Sequence, residues 1–195
     1  MQILSDKRGW VALSLLAASG VAHAHTTGLP HIDLFTGVEH PFSGLDHILA
    51  MVAVGLWAAQ LGGRALWLVP LTFVLTMAVG GALGLLGVPL PMVELGIAGS
   101  VVVLGVLVAL ASRLPLAASM TLVGLFALFH GYAHGAEMAA ESSVLWYGLG
   151  FMLATATLHA LGIGMALAAG RGVPARLVRV GGAAIAASGM LLLAA

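Results

Sequence analysis

Two stretches of this chain bring together side chains that can bind a metal ion. "HPFSGLDHILAM" carries His40, Ser43, Asp46 and His47, and "FHGYAHGAE" carries His130, His134 and Glu137. On a helix a four-residue step turns by about 400°, so His130 and His134 leave one face together, with Glu137 three residues on. That is chelate spacing. Neutral imidazole with carboxylate suits Ni²⁺, Co²⁺ or Zn²⁺, and a donor set without thiolate suits Cu(I) poorly. The chain has no cysteine, which removes disulfide scaffolds and thiolate sites. Asp46, next to His47, serves as a ligand or as an acceptor orienting an imidazole N–H. Met51, one turn beyond His47, is expected to be core packing, because methionine fills gaps readily. His159, in "ATATLHALGIG", stands apart from both clusters. Alone it reads equally well as a core histidine bonded to a carbonyl or as a deeper ligand.

Such residues need a scaffold, and the composition dictates which kind. Hydrophobic residues make up 61% of 195 positions and Asp, Glu, Lys and Arg only 7%, with a mean hydropathy of +1.12. A polytopic membrane protein follows, with the lipid bilayer as its solvent. The formal net charge of +0 argues against a nucleic-acid partner. Histidine, at eight copies, outnumbers the seven lysines and arginines combined. Each imidazole buried among apolar helices is costly unless something binds it.

Residues 1–24 have the form of a cleavable signal peptide. Lys7 and Arg8 precede the apolar "WVALSLLAASGV", and "AHA" at 22–24 is a small-x-small cleavage site. Cleavage would leave His25 at the mature N-terminus, its amine and imidazole free to chelate together. Residues 25–43 form a mixed polar external segment in which His31, Asp33 and Glu39 read as solvated loop groups, as does Glu141 further on.

From residue 44 to 195 apolar runs recur at 44–61, 65–87, 92–111, 114–134, 144–169 and 175–195. Each is near the ~20 residues a helix needs to cross hydrocarbon. The expected fold is therefore all-α: a polytopic transmembrane bundle of six helices after a cleavable signal peptide. Charge supports the number. With the mature N-terminus outside, Arg64, Arg113, Arg171, Arg176 and Arg179 all fall in cytoplasmic loops, whereas Asp33, Glu39, Glu94, Glu137 and Glu141 fall outside. Gly80 with Gly84, and Gly131 with Gly135, mark close helix packing. Three spans followed by three have the topology of an inverted repeat. In this arrangement His40, Asp46, His47, His130, His134 and Glu137 share one level near the outer face. His159 lies about fifteen residues, or ~22 Å, into its helix.

The stretches "HPFSGLDHILAMVAVGLWAAQLGG", "FALFHGYAHGAE" and "FMLATATLHALGIG" resemble the signature segments of the HupE/UreJ family, and the likeness covers nearly the whole mature chain. The resemblance implies a hydrogenase or urease accessory protein of the inner membrane that imports Ni²⁺, or Co²⁺, for metalloenzyme assembly, and is not an enzyme. It implies that His40, Asp46, His47, His130, His134 and Glu137 occupy the motif positions. A homo-oligomer and a cytoplasmic metallochaperone are further partners to consider, and Zn²⁺ suits the same donors. No Gly-x-x-x-x-Gly-Lys motif is present, so the expected mechanism is that of a secondary permease. Two other classes share the residue inventory: a membrane-embedded zinc hydrolase, and a structural subunit whose polar residues join helices.

Overall fold

A computed structural model of the chain describes residues 30–138, 142–169 and 175–194. The expected signal segment, His25 and Glu141 lie outside the described residues, as does the side chain of His31. Seven α-helices are described: α1 (Pro30–Glu39), α2 (Leu45–Leu61), α3 (Ala65–Leu85), α4 (Val93–Leu110), α5 (Leu116–Ala136), α6 (Val144–Ala169) and α7 (Ala175–Ala194). They follow the apolar runs closely, because inside hydrocarbon only a helix satisfies every backbone group within one segment.

Five of them, α3 to α7, are long and apolar enough to cross a membrane. The first expected crossing differs. At 17 residues α2 is ~26 Å long, short of the ~30 Å hydrocarbon core. It is preceded by α1 and a 3₁₀ turn, His40–Phe42. The two helical stretches bend by 81° at the break, and a sixth span exists only if this bent pair is counted as one. The sequence explains the bend. Pro41 cannot donate to a helix ladder, and Gly44 adopts an extended conformation (φ −102°, ψ 120°) before α2 begins.

Glycine sets the helix pairing. An added Cβ on Gly131 would strike the Met77 carbonyl and one on Gly84 the Tyr132 carbonyl, so α3 and α5 run side by side, parallel. Gly55 and Gly162 seat α2 on α6 in the same way, against His159 and Val52. Helices α4 and α7 are antiparallel, Gly105 meeting Ala186 and Gly189 meeting Val102. Mapping α2, α3 and α4 onto α5, α6 and α7 exchanges the α3–α5 pair with α2–α6 and returns α4–α7 to itself, the relation an inverted repeat requires. Between the pairs, Trp57, Phe73, Met51, Met77 and Leu104 fill a core in which each is at most 2% exposed. Met51 is core packing, as its sequence context suggested.

Candidate metal centre

The break before α2 is what places its histidines. His40 sits in the 3₁₀ turn and His47 lies near the start of α2, so the bend swings both rings toward α5. There His130 and His134, one turn apart, face them. His40 Nε2 lies 2.8 Å from His134 Nδ1, and His134 Nε2 lies 3.1 Å from His47 Nδ1. The rings of His47 and His130 are 5.2 Å apart, centre to centre. Glu137 completes the outer end, its Oε2 3.8 Å from both His40 Nε2 and His134 Nδ1. Ligand atoms of His40, His134 and Glu137 thus lie within 4.8 Å of one another. Coordination of two imidazoles at ~2.0–2.1 Å sets their nitrogens ~3.3 Å apart, close to the spacing found here.

Exposure falls steadily along the series. The Glu137 side chain is 61% exposed, His40 29% and His134 17%; His47, His130 and His159 are at most 1%. One end of the cluster therefore meets the surface and the other ends in the core. The aromatic wall is Phe151, with its ring 4.7 Å from that of His134 and 5.1 Å from that of His47. Buried Asp33 fixes the start of α6, its carboxylate accepting the Ser143 backbone N–H at 2.9 Å. It is thus not a solvated loop group, because a helix beginning at residue 144 leaves N–H donors that a nearby carboxylate satisfies.

Hydrogen bonding determines which imidazole atoms are available. Ser100 on α4 donates its one hydroxyl proton to the Ile97 carbonyl at 2.6 Å. With that proton so placed, the His130 Nε2 at 2.9 Å is the donor to Ser100 Oγ. Its Nδ1 is buried with no partner among the described residues. His159 goes further, since neither ring nitrogen has a partner although the residue is 1% exposed. An unsatisfied buried polar group costs about 1–3 kcal/mol, which a core histidine would avoid by bonding a carbonyl. Phe73 packs near both rings, 5.9 Å from that of His130 and 5.2 Å from that of His159. On α6, Thr155 stands one turn before His159 and reaches His47 Nε2 at 3.5 Å. Its hydroxyl lies 3.7 Å from the Met77 sulfur.

Five of the seven residues expected at the site, His40, His47, His130, His134 and Glu137, therefore form one cluster, and His159 is a further buried position beside Phe73. Asp46 lies beside the cluster in the first turn of α2, where its Oδ1 accepts the His47 backbone N–H at 2.7 Å. Sequence reasoning passed over Ser100, Thr155, Phe73 and Phe151. Thr155 had a readable signal, its four-residue spacing from His159; the others are brought in by helix pairing alone. Next to the cluster, a cavity of about 270 Å³ opens between α3, α5 and α6. Its walls are apolar apart from His134 and Tyr147, so it adds no second donor set.

Residues 12–192 match the family model described as HupE / UreJ protein. The protein described as Protein HupE, from Rhizobium leguminosarum bv. viciae, is 49% identical over 181 residues, covering 93% of this chain and 94% of that relative. No solved structure matches.

Proposed function

The chain belongs to the HupE/UreJ family, and from that premise we propose that it is a nickel permease, also able to take cobalt, feeding hydrogenase or urease maturation. The single observation that carries the reading is the convergence of His40, His134 and Glu137 at the exposed end of an imidazole series that continues into the core. The zinc-hydrolase alternative gains no support from the family, and no feature of the site favours it. In the proposed orientation the histidine end faces the periplasm and the arginine loops face the cytoplasm, as the positive-inside rule favours for an inner-membrane protein.

A hydrated divalent ion, the substrate, first meets Glu137, the most exposed group of the series. His40 Nε2 and His134 Nδ1 exchange their mutual hydrogen bond for coordination. His134 then carries its proton on Nε2 and donates it to His47 Nδ1, which holds the ring in place. Moving inward, the ion exchanges these ligands for His47 and the Nδ1 of His130. His159, with two unpartnered nitrogens, is the next station. Successive sites of similar donor type let an ion leave each one, where a single strong site would trap it. A cytoplasmic metallochaperone receives it on the far side.

The test is accumulation of radioactive nickel and cobalt in cells expressing the wild type, His134→Ala or His47→Ala at equal membrane levels. Uptake that the wild type supports and both variants lose to background bears the reading out. Uptake unaffected by either substitution contradicts it.

A further inference from the structure

At the end of the bundle opposite the histidines, Arg64 and Arg113 line a single cavity of about 320 Å³ between the α2–α3 and α4–α5 turns. The two turns are clamped together from beneath. The fully buried Trp57 donates its indole N–H to the Ser112 carbonyl at 2.8 Å, and Gln60 donates to the Val108 carbonyl at 3.0 Å. Arg179 donates to the Ala109 carbonyl at 2.7 Å, and the backbone N–H groups of Ala111 and Ser112 bond Val108 and Leu107. The Leu107, Val108, Ala109 and Ser112 carbonyls are thus satisfied internally.

The donors are not. Neither Arg64 nor Arg113 makes an ion pair or side-chain hydrogen bond among the described residues. Helices α3 and α5 both begin at this cavity, with no side-chain cap and no acidic residue in the first turn; at α3 the Ala65 and Leu66 N–H groups already bond the Gly62 and Gly63 carbonyls. Every acid among the described residues, Asp33, Glu39, Asp46, Glu94 and Glu137, lies at the other end of its helix or turn. Two like charges, both on exposed side chains, and the start of α5 therefore share one recess with no counter-charge among the described residues. Guanidinium groups and helix N-termini recognise phosphate oxygens, and basic recesses between membrane helices take lipid headgroups. Leu61, Leu114 and Leu116 supply apolar walls to the same cavity.

We propose that this recess binds the phosphate group of an anionic phospholipid, bridged by Arg64 and Arg113. The site is independent of the ion reading at the opposite end. Its test uses the full-length protein in phosphatidylcholine nanodiscs, with phosphatidylglycerol or inorganic phosphate added, and reads the melting temperature. Phosphatidylglycerol is expected to raise it by about 5 °C or more. R64Q/R113Q is expected to abolish the rise and R64K/R113K to retain part of it, with nickel binding unchanged in both. An equal rise with inorganic phosphate alone keeps the site but assigns it to the free anion. Equal responses in wild type and R64Q/R113Q, or no response to either addition, overturn the proposal. Should R64Q/R113Q not fold, native mass spectrometry of the wild type decides: preferential retention of phosphatidylglycerol over phosphatidylcholine supports the site, and equal retention overturns it.

Discussion

His134 touches both His40 and His47 through its two ring nitrogens, so its loss removes a ligand and a support at once. His134→Ala is accordingly expected to lower nickel affinity by at least ~100-fold. Thr155→Val removes only the group facing His47 Nε2, and outer partners of a ligand are typically worth ~10–100-fold. Isothermal titration of the purified variants should rank them in that order, and equal losses would contradict the assigned roles. Protons compete with metal for imidazole, whose ordinary pKa is ~6.5. Free neutral imidazole is the ligand, so uptake is expected to fall as pH is lowered; initial uptake rates measured across a pH series check the sign. The residue types and their chelate spacing were legible before any fold was known, His130 and His134 above all. What spacing could not convey was employment: Asp46 and Asp33 have the right chemistry for ligation or solvation, yet each accepts a backbone N–H, a choice made by where a helix happens to begin.

At the scale of the helix, continuous apolar runs located α3 to α7 almost to the residue, because length and hydropathy alone decide whether a segment can span. The break at 40–44 was harder to see, although Pro41 and Gly44 stand in plain view, since proline near a helix start is equally compatible with an unbroken helix. That break puts His40 and His47 on two sides of one ring. Glycine pairs at 80/84 and 131/135 announced close packing, but which helices they join is a tertiary fact. Replacing Gly131 by alanine would drive a methyl into the Met77 carbonyl on the neighbouring helix. Such overpacking should cost about 1–3 kcal/mol and separate α3 from α5. Thermal unfolding of Gly131→Ala in detergent, with Gly99→Ala as a control whose Cβ meets nothing within 4 Å, checks this.

For the whole molecule, the α3–α5 and α2–α6 pairs arrange the bundle as two halves of opposite sense, which places a line of imidazoles where the halves meet. The charge pattern makes a prediction of its own. Because the chain contains no cysteine, single cysteines introduced at Arg113 and at Glu94 should label from opposite sides with an impermeant maleimide; labelling from the same side would refute the alternation of crossings. The most direct test of the central claim is nickel K-edge X-ray absorption on the purified, nickel-loaded protein. Two or more imidazole ligands in the wild type, one fewer in His40→Ala, and one fewer in His134→Ala are predicted. An imidazole count unchanged by both substitutions would contradict it.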